Sequence, residues 1–261
     1  MDFLTEVVAH KLKESEELFA AGKIEEFKAA IARRAAPLSL KGALDGAPGR
    51  AVIAEIKRAS PAKGELAMHR DPLELALTYQ ENGAAALSIL TERRYFHGDP
   101  EFIRRVRPEI RIPILRKDFI VEPIQVYESA ALGADALLLI VSLLELGKLR
   151  ALLLLTRFLG LEALVEVHTA GEMETALAAG ARLIGINHRN LHTLEMDMNR
   201  ARELAPLAPV GVTLVAASGL KSADDLARLE EAGIRAFLIG ETLVISGEPG
   251  IKLREFLGRD S

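Results

Sequence analysis

Ile53-Ala54-Glu55-Ile56-Lys57-Arg58-Ala59-Ser60-Pro61 sets two opposite charges inside a run that otherwise has the composition of a buried strand. Side chains two apart on an extended chain share a face, so Glu55 and Lys57 point the same way, beside Ile53. A charge buried alone is costly, and a strand carries such a pair only where it is satisfied at a polar rim or put to use. Ser60-Pro61 then ends the strand, and Lys63-Gly64 leads into a loop.

Outward from this strand a unit recurs: a short apolar strand, a polar loop, an amphipathic helix, and often Gly-Ala before the next strand. Eight strands are predicted to begin near Val52, Ala86, Ile112, Ala136, Ala163, Leu183, Val212 and Ala236. The helices between and after them begin near Pro72, Pro100, Pro123, Leu143, Ala170, Asn199, Ala223 and Gly250. Prolines at 72, 100 and 123 suit first helical turns. Upstream, apolar residues at 3, 4, 7, 8, 12, 18 and 19 form a helical stripe that Ile24, Phe27 and Ile31 continue after Gly22. Two helices therefore precede the first strand, and Pro37 to Gly49 reads as a connector.

Eight strand-helix units predict an α/β protein, a closed (β/α)8 TIM barrel. A doubly wound sheet gives similar local signals, but the count and the length favour the barrel. The expected organisation is one domain over 1–261, with 1–50 as an N-terminal helical extension and 51–261 as the barrel.

Composition narrows the function classes. The chain has 261 residues, 49% of them hydrophobic, with a formal net charge of -4 and basic and acidic residues interspersed, so it carries no electrostatic footprint for nucleic acid. No cysteine occurs, which removes disulfides, thiolate metal sites and cysteine nucleophiles. Acids stand in the first six residues where an export signal needs bases, and the most apolar segment, Ala136 to Leu144, is broken by Ser142 and followed by Glu145. A soluble, cytoplasmic protein with no membrane partner is expected.

In a TIM barrel the chemistry sits where strands end. Strand one leaves with Glu55, Lys57 and Ser60, strand two with Ser88-Ile89-Leu90-Thr91-Glu92, and strand three with Leu115-Arg116-Lys117-Asp118-Phe119. Strand five gives Leu164-Val165-Glu166-Val167-His168, and strand six Gly185-Ile186-Asn187-His188-Arg189-Asn190. A single Lys or Glu at such a place is most simply a rim salt bridge. A set drawn from several strands reads as a functional cluster, because a barrel gains little stability from it. Two glutamates near two lysines favour the ammonium forms, so a lysine can donate a proton near neutral pH and a glutamate between cations can relay one. A lysine there could also form a Schiff base, which keeps an aldolase in view.

Ser218-Gly219 and Gly240-Glu241, at the exits of strands seven and eight, form a second constellation. Glycines there let backbone N–H groups approach an anion, the usual phosphate site of such barrels, and Ser60 can add a hydroxyl. His188 and His192 are four apart near Asp197 but fall in a predicted loop without a third ligand at suitable spacing, so no metal site is assigned. His168 reads as an active-site wall or a helix cap.

These exit segments together resemble the indole-3-glycerol phosphate synthase family. The likeness runs in order through Ala54-Glu55-Ile56-Lys57-Arg58-Ala59-Ser60-Pro61, Ser88 to Glu92, Leu115 to Phe119, Leu164 to His168, Gly185 to Leu191, Ala217-Ser218-Gly219 and Phe237 to Gly240. It also takes in the N-terminal helices. The resemblance implies decarboxylating, dehydrating ring closure of 1-(2-carboxyphenylamino)-1-deoxyribulose 5-phosphate to indole-3-glycerol phosphate, without cofactor or metal. By position it implies that Lys117 is the general acid on the ribulose carbonyl and Glu166 its proton-transfer partner in the dehydration. Lys57 holds the carboxylate or supplies the second acid, and Glu55 orients Lys57. Asn187 and Arg189 order the rim and bind substrate, Ser218 lines the pocket, and Ser60, Gly219, Gly240 and Glu241 hold phosphate. A monomer or weak homodimer is expected.

One position departs from the family pattern. Ala217 stands where the family usually has glutamate, so the chain is either an enzyme with altered rate or pH dependence, or a low-activity or non-catalytic binder of similar phosphates. A sugar-phosphate isomerase of the phosphoribosylanthranilate isomerase type is the remaining alternative. It would share the phosphate pocket but would not need two lysines, and would usually lack the N-terminal helices.

Overall fold

The structure is a computed structural model in which residues 3–191 and 193–259 are described; His192, noted above for its spacing to His188, lies outside them. Eight parallel strands close on themselves: β1 (Ala51–Ile56), β2 (Ala86–Leu90), β3 (Ile114–Lys117), β4 (Ala136–Ile140), β5 (Glu162–Val167), β6 (Leu183–Asn187), β7 (Thr213–Ala217) and β8 (Ala236–Ile239), with β8 paired back to β1. The loop after β1 adds a small antiparallel ribbon, Ala59–Ser60 with Gly64–Glu65.

Alternation along each strand sorts the side chains into two cores. Ile53, Leu115, Leu138, Ile140, Leu164, Val215, Ala217 and Leu238 pack together inside the barrel. Their neighbours Val52, Ala54, Leu87, Ile89, Ile114, Leu139, Val165, Ile186 and Phe237 belong to the core shared with the surrounding helices. The same two-residue step that makes Ile53 and Leu115 interior makes Glu55, Lys117, Glu166 and Asn187 interior one or two steps nearer the strand exits.

The helices between strands are α4 (Pro72–Glu81), α5 (Glu101–Val106), α6 (Pro123–Leu132), α7 (Leu146–Phe158), α8 (Ala170–Ala178), α9 (Arg200–Leu204) and α10 (Ala223–Glu230), with α11 (Glu241–Val244) and α12 (Pro249–Phe256) after β8. Proline opens α4 and α6, as its fixed φ allows, and precedes α5. The helix expected from Leu143 starts at Leu146, because Val141–Leu143 first makes a 3-10 turn.

Three helices, not two, precede the barrel: α1 (Phe3–Ala20), α2 (Lys23–Ile31) and α3 (Leu40–Asp45). The segment from Pro37 to Gly49 is thus not a bare connector. Pro37 before it and Gly46, Pro48 and Gly49 after it flank a six-residue helix that contains Gly42 and is capped by Ser39, whose hydroxyl accepts from the Gly42 N–H. The helix closes the floor of the barrel. Leu40 and Leu44 enter the interior core, Glu162 at the start of β5 accepts from Ser39 Oγ (2.9 Å) and Lys41 N (2.7 Å), and Thr213 at the start of β7 donates to Asp45 (2.6 Å).

At the opposite face α1 lies over the mouth. Phe3 meets Tyr95 and Phe119 edge-on, with centroids 4.9 and 6.2 Å apart, and Leu4 and Val7 are buried beneath. One turn further Lys11, 2% exposed, reaches Asp118 Oδ1 at 3.0 Å. Asp118 also accepts from Arg116 Nη2 (3.1 Å), Thr91 Oγ1 (2.5 Å) and the Phe119 N–H (2.9 Å), so its carboxylate is satisfied on all sides. Burial alone would push the Asp118 pKa up, but Lys11, Arg116 and Thr91 more than offset it and hold the group well below the usual carboxylate range. No helix among the described residues is long and apolar enough to cross a membrane.

Removing one member of a buried ion pair leaves an uncompensated charge. Lys11→Met is therefore expected to lower unfolding stability by about 3 kcal/mol, read as a lower urea midpoint at unchanged slope. An unchanged midpoint would show that α1 is not held by this pair. Because the folded pKa of Asp118 is depressed, its contribution is complete above the unfolded value of about 3.9 and is lost as pH falls through the lower folded value. Acid titration of stability should thus be shallower in Asp118→Asn than in the wild type below about pH 4.

Candidate active site

Burial of the interior side chains changes character near the strand exits, from aliphatic to ionisable. Glu166, on the last inward step of β5, is 2% exposed, and a carboxylate at that depth needs partners. It has three. Lys117 Nζ from β3 lies 3.5 Å from Oε2, Asn187 Nδ2 from β6 donates to Oε1 at 3.0 Å, and His168 Nε2 lies 3.6 Å from the same oxygen. Desolvation raises the Glu166 pKa, but Lys117, His168 and Asn187 outweigh it, and the group stays ionised below the ordinary range. His168 is itself held by Glu172, whose carboxylate accepts from the His168 backbone N–H at 2.7 Å and faces Nδ1 at 3.2 Å. It forms a wall of the site, while Thr169 caps α8.

The Glu55–Lys57 pair forms as the alternation requires, with Nζ 2.9 Å from Oε1. Gly240 stands against it: a Cβ there would run into the Glu55 carboxylate, so the absent side chain at the exit of β8 makes room for the charge on β1. Asn187 is fixed from its far side by the Arg189 N–H, which donates to Oδ1 at 3.0 Å. The Arg189 guanidinium donates to the Leu194 carbonyl at 3.2 Å, within its own loop. Ala217 is in register with Asn187 on one side and Leu238 on the other, and leaves an apolar gap in the ring of polar exits.

The turns after β7 and β8 sit side by side. Thr242 Oγ1 donates to the Leu220 carbonyl at 2.7 Å and ties them together. Ser218 and Gly219 both have left-handed backbones (φ 70 and 76°), and the N–H groups of Gly219, Leu220, Gly240 and Glu241 find no protein acceptor among the described residues. Lys63, 4.0 Å from Glu241, brings the loop after β1 to the same place, and the Ser60 hydroxyl in that loop is buried without a partner. Unsatisfied donors converging from three loops are what an anion requires.

Sequence reasoning thus anticipated the Lys117–Glu166–Asn187 group, the Glu55–Lys57 pair and the glycine turns. It read His168 as a wall but missed the shell behind these residues: Lys11, Thr91, Arg116 and Asp118 beside Lys117, Glu172 holding His168, and Thr242 between the turns. One signal was available. Arg116 and Asp118 fall on the outward, apolar phase of β3 and its exit, where charges must be paired to be buried. Among the described residues no group of three or more His, Asp or Glu side chains could hold a metal ion. His188 is buried, with its Nδ1 on the Ser218 carbonyl.

Known proteins were compared with the chain. The family profile described as Indole-3-glycerol phosphate synthase matches residues 4–256. A protein of that name from Carboxydothermus hydrogenoformans is 50% identical over 225 residues, covering 85% of each chain, and one from Mycolicibacterium gilvum is 51% identical over 230 residues, covering 88% of this chain and 84% of its own. Among solved structures, 3-hexulose-6-phosphate synthase superposes with TM-score 0.64 at 13% identity, covering 81% of this chain and all of its own. The thiamine phosphate pyrophosphorylase of Pyrococcus furiosus gives 0.60 at 14%, covering 84% and 96%. At such identities these two speak only to the barrel. The family profile and the relatives speak to more: this chain belongs to the indole-3-glycerol phosphate synthase family.

Proposed function

We propose that the Lys117–Glu166–Asn187 group carries the proton transfers of the family's reaction and that the turns after β7 and β8 hold the substrate phosphate. The reaction closes a ring on 1-(2-carboxyphenylamino)-1-deoxyribulose 5-phosphate, with loss of CO2 and water. The observation that carries the reading is Lys117 at 3.5 Å from a Glu166 that burial has not neutralised. An aromatic carbon is a weak nucleophile, so the site must press it against the ribulose carbonyl and neutralise the oxyanion that develops. Lys117, an ammonium beside an anion, gives its proton to that oxygen as the carbon–carbon bond forms. Loss of CO2 returns the electron pair to the ring. The new hydroxyl then leaves as water, and Glu166, oriented by Asn187, takes the proton released as the indole double bond forms.

Lys57, held by Glu55, holds the substrate carboxylate or supplies the acid for dehydration. Ser60, Ser218, Gly219, Gly240 and Glu241 bind the phosphate end, and binding there supplies energy remote from the reacting atoms. Arg189 acts through Asn187, by its backbone N–H. The same reading has the enzyme working in the cytoplasm as a monomer or weak homodimer, in keeping with its cysteine-free composition. The isomerase alternative is not favoured, because the profile match extends over the helices before the barrel.

Turnover followed by indole fluorescence tests these roles. Lys117→Ala and Glu166→Gln should each lower kcat by about 10²-fold or more, with KM changed far less; intact turnover in Lys117→Ala would make the assigned acid wrong. The unaltered chain should turn over despite Ala217, and Ala217→Glu, which adds a carboxylate beside Asn187, should raise kcat and shift the pH profile. Absence of turnover by the unaltered chain anywhere between about pH 5 and 9 would leave only a binding role.

A further inference from the structure

The left-handed backbone of Ser218 is the one feature of the phosphate turn that its own sequence does not explain. Gly219 adopts φ 76° freely, but Ser218 at φ 70° carries a Cβ into a region that L-residues seldom occupy, and such a conformation persists only where neighbours over-determine it. The neighbour here is His188, on the adjoining strand exit. Its Nδ1 lies 2.9 Å from the Ser218 carbonyl, and its backbone N–H donates to the Ala217 carbonyl at 3.0 Å. A carbonyl only accepts, so Nδ1 carries the hydrogen. Nε2 is buried with no hydrogen-bond partner among the described residues, which suits a neutral ring, and burial pulls the His188 pKa down more than the Ser218 bond raises it.

His188 is in turn fixed from behind. Arg200 Nη1 donates to the carbonyls of Asn187 and His188, at 3.0 Å each, and the Asp197 N–H donates to the His188 carbonyl at 2.9 Å. The backbone that carries the imidazole is therefore held in place, and the bond to Ser218 sets the peptide that aims the Gly219 N–H. We propose that His188 is a positioning residue for phosphate capture: it holds Ser218 left-handed so that the donors of the β7 turn converge before substrate arrives. The inference rests on the phosphate reading given above. It separates the two residues of the Asn187-His188 pair, the first serving proton transfer and the second serving phosphate.

Asparagine places its amide nitrogen close to where histidine places Nδ1, whereas leucine fills the space without a donor. His188→Leu should raise KM about tenfold, and weaken competitive inhibition by inorganic phosphate by the same factor, with kcat within about threefold of wild type. His188→Asn should restore both. Adding Ser218→Gly to His188→Leu, which removes the Cβ penalty but not the need for a donor, should recover only part of the loss. Melting temperatures of all variants identify any that fail to fold, and in that event His188→Asn against wild type decides. Equal loss in His188→Leu and His188→Asn, or a fall in kcat with phosphate inhibition unchanged, would overturn the inference. Failure of phosphate to compete in the wild type would instead overturn the cradle itself, and the inference with it.

Discussion

A carboxylate as deeply buried as Glu166 exists as an anion only because a cation and a polar side chain from two other strands, and a histidine from the exit of its own, meet it there. The rest of the mouth obeys the same constraint. Burial penalises each charge singly and tolerates them jointly, so the Lys117–Glu166 and Lys57–Glu55 pairs are conditions for the barrel to close. At this depth water is scarce. What makes an unpaired charge intolerable also makes a paired ammonium an effective acid.

The site has a front and a back. The front is the inward phase of the strands, where Lys117, Glu166, Asn187 and the Glu55–Lys57 pair stand. The back is the outward phase, where Arg116 and Asp118 flank Lys117 and carry its strand exit into contact with Lys11 of α1. Position along the strand thus sets two distances at once: how far the lysine reaches into the mouth, and how firmly its backbone is gripped from outside. Behind His168, the wall beside Glu166, Glu172 plays the same part, and His188 does so behind Ser218.

The barrel and the front of the site were legible in the sequence because both follow from short-range periodicity. Strand alternation put Glu55 beside Lys57, and eight repeats of one unit left few closed arrangements. The back of the site was not legible for an equally physical reason. Lys11 falls in phase with Leu4 and Val7 on the buried face of α1, but Asp118 is 107 positions away (118 less 11), and no local pattern names the anion that receives the lysine. The floor helix escaped because six residues between prolines and glycines carry too little periodicity to register. The turn at Ser218 escaped because left-handed serine leaves no compositional trace, unlike the glycine that follows it.

The bond between Lys11 and Asp118 also orders events in time. On α1 the lysine has only its helical neighbour Glu14 (2.8 Å) to pair with, and Asp118 becomes its second partner once the third barrel strand has been made and paired. Contacts so distant along the chain form late, after the loop between them has been closed. The nascent polypeptide therefore assembles its cylinder before α1 is fastened across the mouth.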